Sequence, residues 1–250
     1  AITGILLAKG EVVASDGKRL YRRLVPGLQQ EPKILIPNSK FFGLKQLAEE
    51  ELVGVFASKE TAWLKIGNVV WGGRLIEGKF PDYEELIPAS CENALTLSED
   101  MIKALVEVLG SLPYTDDNRA VKIEFKQEGN GWKMLFTTAG ETPGTAEIQD
   151  VTYQGKEMWF GISPDYLLDA LSVAGVTMLG FNGTEKPIII WGEDITTLIM
   201  PLTVSAFEPR QESAEETENE SEEQPEESDQ VERGEIIEEG YRRRRSAFHA

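Results

Sequence analysis

Along residues 1–207 short apolar runs are separated by turn residues, and three stretches switch from strand-like to helical spacing. The opening AITGILLAKGEVV reads as strand; it has neither the basic n-region nor the cleavage site of a signal peptide. KILIP is a further strand, and Asn38 or Ser39 is placed to cap a helix with Phe41, Leu44, Leu47 and Ala48 on one side. Strands follow in LVGVFAS, TAWLKIG and NVVWGGRLI.

A second unit begins at ALTLSEDMIKALVEVLGSLP, where Ser98 precedes Glu99 and Asp100, acidic residues suited to the positive end of a helix dipole. Met101, Leu105, Val108 and Leu112 recur at helical spacing. In AVKIEFKQEGNGWKMLFTT, Val121, Ile123 and Phe125 alternate ahead of a turn at Gly129–Gly131, which predicts a hairpin. Two more strands, TAEIQDVTYQG and EMWFGI, lead to a third helix with Ser163 as cap, Pro164 as first helical residue and Gly175 past its end. VTMLGFNG, PIIIWGE and TTLIMPLTV close the set. The pattern predicts an α+β fold with antiparallel sheets dominant and few, short helices; no βαβ alternation is visible.

After Phe207 the composition changes. Glu208 to Ala250 holds 15 acidic and 6 basic residues, four of them the run Arg242 to Arg245. Rich in Glu, Ser, Gln and Pro, the stretch up to Glu239 cannot bury enough apolar surface to offset its ordering entropy, so a disordered acidic tail is expected. The segment VERGEIIEEGYRRRRSAF has its acids early and its arginines late, an order that suits a helix. The whole chain carries −18 at neutral pH, which is unfavourable for phosphate binding unless cations are clustered.

One cysteine, Cys91, permits no internal disulfide, and a cytoplasmic setting is expected. The single histidine, His249, leaves no His-based triad and no common His/Cys zinc set. No phosphate-binding glycine loop and no run long enough for a membrane helix is present. Most of the usual enzyme chemistries are therefore unsupported; a carboxylate-only metal site stays open in principle, but no Asp/Glu cluster falls at EF-hand or similar spacing, and no cofactor or metal is expected.

Three segments carry more specific information: VVASDGKRLYRR (Val12 to Arg23), GRLIEGKFPDYEELIP (Gly73 to Pro88) and TTLIMPLTV (Thr196 to Val204). Together with DVTYQG and YLLDAL, in this order, they resemble the bacterial DNA polymerase III beta subunit, the sliding clamp, over about residues 1–204. Taken singly, SDGKRL is a turn with a basic flank, FPDY an interdomain turn and LIMPL an edge strand stopped by proline.

The resemblance implies a DNA-clamp fold of antiparallel sheets with short helices on the inner face. The division it implies is a partial middle domain at 1–82, a C-terminal domain at 83–207 and the tail at 208–250. It further implies a processivity factor that encircles duplex DNA without reading sequence, as a homodimeric ring in a longer parent. Polymerase and clamp-loader subunits would dock through a short motif, roughly Gln-x-x-Leu-Phe. The matching pocket positions are Ile2, Ser15, Gly17, Lys18, Arg19, Leu20, Pro81, Leu86, Leu198 and Met200 for a deep subsite. An adjoining subsite falls on Tyr166, Pro187, Pro201 and Leu202, and DNA-facing cations on Lys40, Lys45 and Lys103. Small residues at 15 and 17 leave depth for an aromatic anchor, and a methionine adapts to varied peptides.

This chain departs from the family pattern at Glu84 and Glu85, where many clamps carry arginine, and at Glu185, where an apolar residue is frequent. Two other readings compete: a clamp-like peptide-binding adaptor that does not encircle DNA, and an enzyme built on a carboxylate pair. No two carboxylates fall in a recognisable aromatic-lined pattern.

Overall fold

The computed structural model describes residues 4–43, 52–115, 119–140, 142–203 and 207. The proposed tail and Lys45 lie outside them, as do Ile2 and most of the first helix; of that helix the structure describes a 3-10 turn, Lys40–Gly43.

A nine-stranded antiparallel sheet runs through both halves of the chain, in the order β12-β8-β14-β15-β16-β3-β2-β1-β4. Its strands are β1 (Gly4–Ala8), β2 (Glu11–Ser15), β3 (Arg19–Leu24), β4 (Ile34–Pro37), β8 (Asn93–Thr96), β12 (Tyr153–Gln154), β14 (Val176–Phe181), β15 (Ile188–Gly192) and β16 (Ile195–Ile199). The opening segment, expected as a strand, is a hairpin, with Leu6 opposite Val13 and Leu7 opposite Val12. A three-stranded sheet holds β5 (Leu52–Ala57), β6 (Thr61–Ile66) and β7 (Val69–Arg74). The third sheet, β11-β10-β9-β13, comprises β9 (Val121–Glu128), β10 (Gly131–Thr138), β11 (Thr145–Ile148) and β13 (Met158–Ile162).

The two halves meet where β3 pairs with β16: Leu20 lies opposite Leu198 and Arg19 opposite Ile199. Successive strand residues point to opposite faces, which accounts for the near-continuous apolar runs ILLA, ILIP and III. Leu6, Val13, Leu20, Leu35, Ile189 and Leu198 share one core with Phe80 and Tyr83. The alternate residues face the other way. Leu7, Ile34 and Ile36 join Ala62 and Leu64 of β6, while Ile188, Ile190, Ile195 and Ile199 join the largest core, built with the third sheet and both helices.

Helix α1 (Glu99–Ser111) starts where expected, with the Ser98 hydroxyl accepting from Met101 N, and it buries Leu105 and Leu109. Helix α2 (Pro164–Leu171) has Ser163 as N-cap without a side-chain cap bond. It stops at Leu171, ahead of Gly175, which instead takes a positive φ in the turn into β14.

TAEIQDVTYQG, expected as one strand, is two. β11 pairs with β10, whereas β12 pairs with β8 of the large sheet. Between them Asp150 adopts φ +54, left-handed backbone that ends a ladder. Val151 N then bonds Trp132 O at 3.0 Å, carrying Tyr153 into the main core.

Candidate functional site

Three chain segments converge at one end of the large sheet's central strands: the end of β16, the start of β15 and the turn between β2 and β3. Ile188 pairs with Ile199, which brings Pro187 and Met200 to the same end. Met200 N donates to Lys18 O at 2.9 Å, so the turn closes over the strand just before the proline stop. That turn is built by its own residues. Asp16 Oδ1 accepts from Lys18 N and Arg19 N, each at 2.9 Å, and Ser15 Oγ accepts from Gly17 N at 3.1 Å. Gly17 sits at φ +86, a conformation L side chains rarely adopt.

The predicted residues divide between depth and surface. Leu20 and Leu198 are 4% and 2% exposed and belong to the core beneath. Met200 and Leu86, at 42% and 49%, are the large apolar side chains left at the surface. Leu86 closes a 3-10 turn, Glu84–Leu86, whose flanks Tyr83 and Ile87 both pack on the core that holds Leu20 and Leu198. Pro81, Gly17 and Lys18 are exposed; Ser15, Pro187, Pro201 and Leu202 are half-buried.

Arg19 and Tyr166 stand together at this end of the sheet. The Arg19 guanidinium lies over the Tyr166 ring at 4.4 Å and pairs with Asp169 at 2.5 Å and Asp16 at 3.1 Å. One arginine thereby joins the β2–β3 turn to α2. Burial alone would lower the Arg19 pKa, but the two carboxylates outweigh it and raise the value. Arg19 and Asp169 also line a cleft of about 520 Å³, together with Ile5, Ala14, Tyr21 and Val173.

Leu202 is tied by its backbone to the third sheet. It forms a bridge with Gly161 of β13, donating from its N at 2.8 Å. Phe207 then packs edge-on against Trp159, ring centroids 6.3 Å apart. A Cβ on Gly161 would lie 2.3 Å from the Phe207 ring, so glycine is what admits this crossing. Lys40 and Lys103 are both exposed, on elements from different halves of the chain. Lys103 pairs with Asp100 at 3.6 Å and shares α1 with Glu99 and Glu107.

No sequence pattern marked the residues that lock the FPDY segment onto β2. Phe80 and Tyr83 of FPDY are buried, their rings 5.9 Å apart and edge-on. The Tyr83 hydroxyl donates to Glu11 Oε1, and Arg22 Nε donates to Glu11 Oε2 at 2.7 Å. Burial pushes the Glu11 carboxyl up, yet hydrogen bonds from Tyr83 and Arg22, with the charges of Arg22 and Lys33, hold it below its ordinary value. Burial and the adjacent carboxylate raise the Tyr83 phenol. The available signal was a lone glutamate opening an apolar strand.

Residues 84–203 match the family model for the DNA polymerase III beta subunit, C-terminal domain. The chain is 27% identical over 165 residues to the beta sliding clamp of Proteus mirabilis, covering 64% of this chain and 44% of that one. With the beta sliding clamp of Staphylococcus aureus it shares 26% over 215 residues, 80% of this chain and 56% of that one. The chain thus spans about half the length of the curated relatives it matches. Its fold is similar to the DNA polymerase sliding clamp from Bacillus subtilis, with TM-score 0.67 and 23% identity over 81% of this chain and 57% of that one. The DNA polymerase III beta subunit from Pseudomonas aeruginosa gives TM-score 0.68 and 22% identity over 81% and 58%.

Proposed function

We propose that this chain, which belongs to the DNA polymerase III beta-subunit family of sliding clamps, acts as a non-catalytic tether that captures short peptide motifs of polymerase and clamp-loader partners. The observation that carries the reading is the strand-end site. Leu20 and Leu198 are buried in a core that Tyr83 and Ile87 share, while Met200 and Leu86, close to these residues in the chain, stay exposed, a combination that suits an apolar anchor residue. We place the junction of the two clamp domains at residues 82/83, where Tyr83 is pinned onto β2. In a ring completed by a second copy of the longer parent, duplex DNA would pass without sequence readout, through loose phosphate contacts. Lys40, Lys45 and Lys103 are the cations assigned to that surface.

Fluorescence anisotropy of a labelled Gln-Ala-Ser-Leu-Phe peptide, titrated with the full chain, tests the reading. Saturable binding that Met200→Ala and Leu86→Ala each weaken several-fold is expected. These exposed positions separate binding from stability, which Leu20 and Leu198 do not. A folded chain that fails to bind, or variants that bind as well as the parent, would defeat it.

A further inference from the structure

The surface around the proposed anchor site has an uneven charge. The 3-10 turn that presents Leu86 also presents Glu84 and Glu85, both exposed, and Asp82 lies just before it. Among the described residues neither Glu84 nor Glu85 has a cationic partner within ion-pair distance. Of the cations at this end of the sheet, Arg19 is already shared by Asp16 and Asp169. Among the described residues Lys18, Lys79 and, beside Pro187, Lys186 remain exposed, against the exposed carboxylates of Asp82, Glu84, Glu85 and Glu185, so acid keeps a narrow majority beside the apolar surface.

A turn packed on the core through Tyr83 and Ile87, with two carboxylates that have no ion-pair partner among the described residues just ahead of an exposed leucine, favours one kind of occupant. We infer that the site selects linear peptides whose apolar anchor is flanked by lysine or arginine, and disfavours acid-flanked ones. This rests on the peptide-capture reading above and adds the charge class of the partner. The contribution is long-range and screened by salt, because both carboxylates are solvent-exposed. Its main effect is discrimination between partners rather than raw affinity.

The test compares two labelled peptides, Gln-Ala-Ser-Leu-Phe with Lys-Lys at both ends and the same core with Glu-Glu at both ends. Both are titrated with the full chain and with the Glu84→Lys/Glu85→Lys double variant. At low salt the lysine-flanked peptide should bind about five-fold tighter, the scale of two or three exposed ion pairs. The preference should vanish or invert in the double variant and shrink at high salt. Met200→Ala should weaken both peptides equally. Equal affinities for the two peptides overturn the charge inference alone. So does a lysine preference that survives the double variant, because it would then come from the acidity of the whole chain. Binding of neither peptide overturns the peptide-capture reading and this inference with it.

Discussion

Replacing Tyr83 with phenylalanine removes one hydroxyl from the buried lock between the FPDY segment and β2. Packing is preserved, since the ring still meets Phe80 edge-on and fills the same core. What is lost is a hydrogen bond to Glu11, a carboxylate whose side chain is 11% exposed. A bond to a buried charged group contributes about 1.5–3 kcal/mol. Arg22 still neutralises the charge at 2.7 Å, so the lower part of that range, about 1.5–2 kcal/mol, is expected. The pH dependence follows from the depressed pKa of Glu11. Its charged-state interactions stabilise fully above the unfolded carboxylate value, about 4.3, and are lost as pH falls through the lower folded value. The deficit of Tyr83→Phe should therefore be complete at about pH 7 and shrink below about pH 4. Urea unfolding followed by tryptophan fluorescence at both pH values measures it. A deficit under about 0.5 kcal/mol at neutral pH, or one that widens on acidification, would refute the argument.

Two further outcomes follow from buried polar groups in the C-terminal half. Thr197 is fully buried on β16, and its hydroxyl has no hydrogen-bond partner among the described residues. Thr197→Val keeps the shape and removes an unsatisfied group, so a gain of about 1 kcal/mol in chemical denaturation is expected, and a loss would contradict it. Asn93, 1% exposed, accepts from Tyr153 Oη and Lys156 N, each at 3.0 Å, and donates to Phe181 O at 3.1 Å. Asn93→Ala leaves Lys156 N and Phe181 O without this partner and should cost about 2–3 kcal/mol, read as a lower thermal midpoint; an unchanged midpoint would oppose this.

Local signals explain which elements were legible from sequence. Helix α1 follows from Ser98 and the spacing of its apolar residues, and α2 from Ser163-Pro164, because caps act within one turn. The Glu128–Gly131 hairpin was legible for the same reason: Gly129 takes a positive φ in the turn. The division of residues 145–154 between two sheets was not, since it depends on one left-handed aspartate and on Trp132 accepting from Val151. Nor does any local pattern pair β3 with β16, whose residues lie far apart in sequence. The site shares this limit. Met200 and the β2–β3 turn were recognisable by resemblance, but periodicity alone does not distinguish a buried residue such as Leu198 from an exposed one such as Met200. The Arg19–Asp169 link was invisible for the same reason as the strand pairing.

The most direct test of the account is where a bound peptide touches the chain. Of the five methionines, Met200 is 42% exposed at the proposed site, while Met134 is 1% exposed in the core; Met101 and Met158 pack against that same core. With ¹³C-labelled methionine methyls, titration of the Gln-Ala-Ser-Leu-Phe peptide should move the Met200 signal saturably and leave Met101, Met134 and Met158 in place. A Met200 signal that stays fixed while the peptide binds would place capture elsewhere on the molecule and contradict the account.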